Sequence, residues 1–178
     1  MKTILIDGSP ANVSHTSALL AHLADLFQDH GSEVETITLK SLGLPYNDPE
    51  LHDSPWESPH QAVREFAKKV DEADVVVLGT PLYHGTFSGL MKSALDHLTD
   101  DGFAGKKVLI VSNSSGLRNA IQAAQQLVIV PRTMGGLVHS RLIGTAKADY
   151  AEEAGRFALT APDMLARCKE IVGEIVGK

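Results

Sequence analysis

Apolar residues recur along this chain in two alternating patterns. Short runs read as strands: residues 3–6, 34–39, 75–78, 107–111 and 136–143, the third of them an unbroken Val75-Val76-Val77-Leu78. Between them the apolar positions fall at helical spacing. Residues 16–27 carry Leu19, Leu20, Leu23, Leu26 and Phe27, and residues 60–71 carry Val63, Phe66, Ala67 and Val70. Further helices are predicted over 88–98, 119–127 and 152–176. Punctuation agrees with this reading: Asp7-Gly8-Ser9-Pro10 ends the first strand, and Gly31 ends the first helix. Residues 42–59, with Pro45, Pro49, Pro55 and Pro59, read as a long loop, either functional or a plain surface excursion.

Strand and helix alternate throughout, which calls for a parallel sheet with helices on both faces. Right-handed crossovers leave few topologies. The expected fold is a flavodoxin-like α/β three-layer sandwich, its five strands in the order 2-1-3-4-5, formed as a single domain over residues 1–178. Ligands of such sheets bind beyond the carboxyl ends of the strands, so the loops after the first, third and fourth strands are the place to look for chemistry.

Composition narrows the function classes. The 178 residues carry a formal net charge of −6, which offers no basic face for nucleic acid. No apolar run approaches a membrane span. Asp7 interrupts the opening apolar stretch, which reads as a first strand and not as a leader. Cys168 is the one cysteine, so no internal disulfide forms, in keeping with a cytoplasmic setting. It lies near Leu165 and Ile171 and reads as a packed thiol. The histidines show no zinc-like spacing and read as surface or capping residues, so no metal is expected. Neither Ser9 nor Ser114 lies in a nucleophile elbow.

The first of the three loops, residues 8–17, is rich in hydroxyls, nearly uncharged, and opens a helix. Unpaired N–H groups and the helix dipole suit such a place to phosphate, although Ser14 serves equally well as an ordinary N-cap. The second, residues 79–89, combines the stiff Pro81 with Gly85, which allows close approach or a positive φ. It can lay backbone groups along a flat heterocycle with Tyr83 beside it, or be a rigid turn around a buried tyrosine. The third, residues 112–118, has only small residues to recommend it.

Gly8-Ser9-Pro10 with Ser14 and Thr16, followed by Thr80-Pro81-Leu82-Tyr83-His84-Gly85-Thr86-Phe87-Ser88-Gly89-Leu90-Met91-Lys92-Ser93-Ala94-Leu95-Asp96, resembles the NADPH-dependent FMN reductase family. The second block is the specific one, and the element order extends the likeness over nearly the whole chain. The resemblance implies FMN held non-covalently, its phosphate on Ser9, Ser14, His15 and Thr16. The ring and ribityl chain would lie along Pro81, Leu82, Tyr83, His84, Gly85 and Thr86, with Ser112 and Gly116 closing the other side. NADPH or NADH would give hydride to the flavin, and no side chain is assigned a catalytic role. His84 is a candidate proton donor that reads more simply as a solvated loop residue. Arg118 and Lys92 are candidate partners for a 2′-phosphate.

The family likeness also implies a homodimer or homotetramer. The 86–89 turn and residues 124–136 look most like reductases that supply reduced flavin to a partner monooxygenase. Two departures stand out: Ala11 replaces an arginine common in the first loop, and the third loop keeps a single glycine, Gly116. The rival readings are an FMN-containing quinone, azo or nitro reductase and, less well supported, a flavodoxin-type electron carrier.

Overall fold

The computed structural model describes residues 1–116 and 119–177. Strands β1 (Lys2–Asp7), β2 (Glu33–Thr38), β3 (Val75–Pro81) and β4 (Lys107–Ser114) form a parallel sheet. Beside β4 lie β5 (Leu137–Val138) and β6 (Ile143–Ala146), giving the expected order β2-β1-β3-β4-β5 with β6 also paired to β4.

Successive strand residues point to opposite faces, and here both faces are covered. Ile4, Ile6, Val76, Leu78, Val108 and Ile110 pack with helices α3 (Gln61–Asp71), α4 (Gly89–Leu95) and α5 (Gln122–Leu127). Leu5, Val75, Val77, Leu109 and Val111 pack with α1 (His15–Asp29) and α7 (Pro162–Val176). Every one of these strand residues is fully buried. The two-sided demand explains why the central strands are apolar without interruption.

The start of α1 follows from its cap. Ser14 accepts the backbone N–H of Ser17, and after His30 the chain turns through Gly31 at φ +79°. Residues 42–59 are less irregular than their prolines suggest. A short helix α2 (Leu39–Leu42) precedes them, and 3₁₀ turns occupy Pro49–Leu51 and Pro55–Glu57. The segment is pinned over α3 and α4: His97 Nε2 lies 2.8 Å from the Pro45 carbonyl, and Arg64 donates to the Ser58 carbonyl at 2.5 Å.

The structure corrects the sequence reading in its last third. Helix α5 ends at Leu127 as predicted but begins at Gln122, and an unpredicted α6 (Ile129–Thr133) follows because Pro131 has no N–H to donate to a continuing α5. The predicted strand over 136–143 is two strands separated by His139–Leu142. The predicted helix over 152–176 begins at Pro162. Ahead of it, β7 (Tyr150–Glu153) and β8 (Arg156–Leu159) form an antiparallel hairpin. Cys168 is packed in the α7 core, and burial pushes its thiol pKa up to about 12. A thiol held so firmly protonated is a poor nucleophile, as its surroundings in the sequence suggest.

Candidate functional site

Three loops leave the carboxyl ends of β1, β3 and β4, and hydrogen bonds tie them into one rim. Gly8 N–H donates to the Gly79 carbonyl at 2.8 Å. The Gly8 carbonyl in turn accepts the Ser88 hydroxyl at 2.7 Å. That hydroxyl also caps α4 by accepting Met91 N–H at 3.1 Å, while Ser88 N–H reaches Thr80 Oγ1 at 3.0 Å. Leu82 N–H donates to the Asn113 carbonyl at 2.8 Å, joining the second loop to the third. Gly8 is needed here for space: a Cβ would stand 2.9 Å from Met91 Cε and 3.0 Å from the Gly79 carbonyl oxygen.

Beneath the first loop lies a carboxylate to which the sequence assigned no role at the site. Asp7 is 3% exposed. Its Oδ1 accepts Ser9 N–H at 2.9 Å, and its Oδ2 accepts the Ser17 hydroxyl at 2.6 Å. Ser14 Oγ is 2.7 Å from Ser17 Oγ and accepts Ser17 N–H at 3.0 Å. Because the Ser17 proton goes to Asp7, the Ser14 proton goes to Ser17. Ser9 Oγ accepts Ala11 N–H at 3.3 Å. Ser9 and Thr16 are enclosed, whereas Ser14 and His15 are half-buried. Ser14 therefore shapes the turn as a cap. The N–H groups of His15 and Thr16, in the first turn of α1, need no intrahelical acceptor.

Burial raises the Asp7 pKa above 3.8, against the opposing hydrogen bonds from Ser17 and Ser9. A carboxyl whose pKa is higher folded than unfolded adds stability below its unfolded value. That contribution is lost as pH rises through the folded value. Asp7→Asn keeps an acceptor for Ser9 and removes the buried charge. We expect it to melt above the parent protein at pH 7, with the gap narrowing as pH falls toward 4. A gap independent of pH would show that the charge is not its cause.

The second loop ends in a two-residue turn at His84 (φ +48°) and Gly85 (φ +86°). Both closing bonds form: Tyr83 N–H to the Thr86 carbonyl at 2.9 Å, and Thr86 N–H to the Tyr83 carbonyl at 3.1 Å. Two left-handed residues in succession mark the turn that matches strand twist. Tyr83 is 43% exposed, which removes the alternative of a rigid turn around a buried tyrosine. A Cβ at Gly85 would meet only Gln122 Nε2, at 3.6 Å, and one at Gly116 would meet nothing within 4 Å. Neither glycine is hemmed in where a side chain would begin.

In the third loop Ser112 is fully buried and its hydroxyl donates to the Ala120 carbonyl. Ser114 Oγ donates to the Gly116 carbonyl at 2.6 Å, closing the turn. Asn113 Nδ2 reaches Thr145 Oγ1 at 3.2 Å, and Thr145 Oγ1 lies 2.8 Å from the Tyr150 hydroxyl. Tyr150 belongs to the β7–β8 hairpin. With Phe157 it holds His15, whose ring stacks on Phe157 at 3.9 Å and meets Tyr150 edge-on at 4.8 Å. His15 is thus neither a plain surface nor a plain capping residue. Burial first, and then Lys147, lower its pKa, against Glu152. The hairpin braces the first loop against the third.

The residues singled out from the sequence divide accordingly. Ser9, Ser14, His15, Thr16, Pro81, Leu82, Tyr83, His84, Gly85, Thr86, Ser112 and Gly116 all belong to the rim or the strand ends beneath it. His84 is exposed at the turn. Lys92 pairs with Asp96 on α4, and Arg118, like its neighbour Leu117, lies outside the described residues. Asp7, Gln122, Tyr150 and Phe157 were not anticipated at the rim, and Ser17 was expected in the first loop without a role of its own. A hollow of about 420 Å³ adjoins the first loop between Asp7, Asn12, Thr36, Thr38 and Lys40, with Lys40 bonded to Asn12. Another of about 410 Å³, between Trp56, Asp71 and Lys106, lies at the opposite, amino-terminal edge of the sheet. Among the described residues no cluster of three metal-ligating side chains occurs, and no helix is long and apolar enough to cross a membrane.

The NADPH-dependent FMN reductase family matches residues 1–148. An FMN-dependent NADPH-azoreductase of Staphylococcus aureus (strain USA300) is 33% identical over 177 residues, spanning 99% of this chain and 94% of that protein. Among solved structures, an NADH:FMN oxidoreductase in its apo form superposes with a TM-score of 0.78 at 18% identity, covering 98% of this chain and 88% of that one. The flavoenzyme NAD(P)H:(acceptor) oxidoreductase of Paracoccus denitrificans does so at 0.76 and 20%, covering 99% and 95%. These two structures establish the fold, and the sequence matches establish kinship: the chain belongs to the NADPH-dependent FMN reductase family, flavodoxin-like oxidoreductases dependent on NAD(P)H.

Proposed function

We propose that this protein reduces FMN with NAD(P)H, the flavin lying on the rim with its phosphate at the β1–α1 turn. The observation that carries the reading is the bonding of Gly8, Ser88, Leu82 and Asn113, which joins three loops into a single ledge at the sheet's topological switch point. Bound FMN supplies the hydride acceptor. The chain's own part is to hold and orient it.

The donor set fits such a group. Free N–H groups of His15 and Thr16 at the α1 N-terminus suit an anion, and Ser9 and Thr16 bring hydroxyls to the same turn. The uncrowded backbone at Gly85 and at Gly116 suits close approach by a flat ring, with Tyr83, His84 and Thr86 along one edge and the Ser112–Gly116 turn along another. Pro81 and Leu82 set the loop's exit from β3. With Ala11 in place of an arginine and the Asp7 carboxylate below, the turn has little positive charge. That supports an exchangeable flavin over one held permanently. Ser9→Ala with Thr16→Ala should weaken FMN by about 1–3 kcal/mol, as expected for lost bonds to charged oxygens. Fluorescence titration checks this, and unchanged affinity would move the phosphate elsewhere.

The acceptor after FMN separates two readings. The azoreductase relative favours an organic acceptor such as an azo dye or quinone, whereas an exchangeable flavin favours delivery to a partner monooxygenase. NADPH oxidation with and without added FMN decides. A rate that saturates with free FMN supports delivery. Retained colour, with turnover only on a dye or quinone, supports the other reading. Absence of nicotinamide oxidation leaves an electron carrier.

We propose further that the enzyme works in the cytoplasm as a homodimer or homotetramer. Ile129, 66% exposed, edges an apolar hollow with Leu95, Val130 and Met134 between α4 and α6, a face suited to a second copy. Light scattering should find a species heavier than the 19.1 kDa chain, and a monomer at micromolar concentration would refute it.

A further inference from the structure

Gln122 and Gln126 stand one turn apart on α5 and therefore share a face. Both donate to one acceptor in another element. Gln122 Nε2 lies 3.0 Å and Gln126 Nε2 lies 2.6 Å from the Gly85 carbonyl oxygen. That carbonyl sits at the tip of the second loop, where water could satisfy it without help. Immobilising two long side chains costs rotamer entropy, and a carbonyl at an exposed turn does not need two amide donors to be stable. What the pair achieves is direction. With both lone pairs of the Gly85 oxygen engaged, the peptide plane between Gly85 and Thr86 is fixed toward α5. The turn's closing bonds use Tyr83 and Thr86, so the N–H groups of His84 and Gly85 lie outside them.

We infer that Gln122 and Gln126 are positioning residues that set the flavin-facing turn through its backbone. The inference rests on the flavin reading proposed above. The clamp holds the Gly85–Thr86 peptide, and through it the left-handed turn, before the flavin arrives, so binding does not have to order it. It also links ring binding to α5, an element that contributes nothing to the phosphate turn. The glutamines act on the ring end of the site while the β1–α1 end is unaffected.

The test replaces both donors by methionine, which matches glutamine in length and helix propensity. FMN is titrated into the parent protein and into Gln122→Met/Gln126→Met, with flavin fluorescence and the visible absorption of bound FMN recorded together. We expect the double variant to bind about tenfold more weakly. Its bound flavin should absorb more like free FMN, a spectral change that lost stability alone would not produce. Each single variant should fall between, and Gln126→Met, at an exposed position, supplies the answer if the double variant does not fold. Variants that bind FMN within twofold of the parent, with an unchanged spectrum, overturn the clamp while the flavin site stands. A parent protein that fails to bind FMN overturns both.

Discussion

Gly85→Val should lose FMN affinity by at least tenfold, about 1.4 kcal/mol, whereas Tyr83→Phe should stay within that range. At φ +86° a β-branched side chain is strained wherever it points, and here its Cβ would also start 3.6 Å from the Gln122 amide. The added methyl groups would occupy the surface on which the proposed flavin ring lies. Tyr83→Phe retains the exposed aromatic face and deletes one hydroxyl, and a single neutral hydrogen bond contributes about 0.5–1.5 kcal/mol. Fluorescence titration of the two variants separates recognition by backbone from recognition by side chain. Normal binding by Gly85→Val together with failure of Tyr83→Phe would reverse the assignment.

Ser88→Ala should destabilise the protein by about 2–4 kcal/mol, because one hydroxyl performs two tasks in a buried position. Loss of an N-cap costs about 1 kcal/mol. Leaving the Gly8 carbonyl unpaired inside the rim costs about 1–3 kcal/mol more. For a chain of this size the melting temperature should fall by roughly 4–16 °C. Calorimetry of the flavin-free protein is the direct measurement. A fall below 2 °C would mean that the Gly8–Gly79 bond alone secures the first loop to β3. Ser88→Thr retains the hydroxyl and should recover much of the loss.

The legible parts of this molecule are those in which local pattern and tertiary demand agree. The run at residues 75–78 can satisfy a sheet covered on both faces and little else, so its place in the middle was evident. Ser14 announced itself as a cap by preceding an apolar helical pattern, and it caps. The β7–β8 hairpin was hidden because its residues, Ala151, Glu152, Glu153 and Ala154, favour helix. Its turn places Ala154 at φ +50° before Gly155, where an asparagine or aspartate would have given the signal. Packing of Phe157 and Tyr150 on His15 outweighs those propensities. Asp7 and the two glutamines were invisible for another reason. Their roles depend on partners far along the chain or on the chain's path through a turn, and no spacing rule encodes either.

The interruption at His139–Leu142 shapes how this molecule meets its neighbours. A continuous outer strand would present a row of free N–H and C=O groups on which another chain could pair. Here the outer row is two residues of β5, a departure from the sheet line, and four residues of β6. The intervening segment is anchored to α7 instead: Arg141 bridges Glu170 and Glu174, and Arg167 donates to the Leu142 carbonyl at 2.9 Å. Strand-by-strand growth from this border would have to bridge a gap and displace charged side chains. Copies of the protein can therefore accumulate at high concentration without adding to one another's sheets along this border, and association is left to helix surfaces, where it can be specific and reversible.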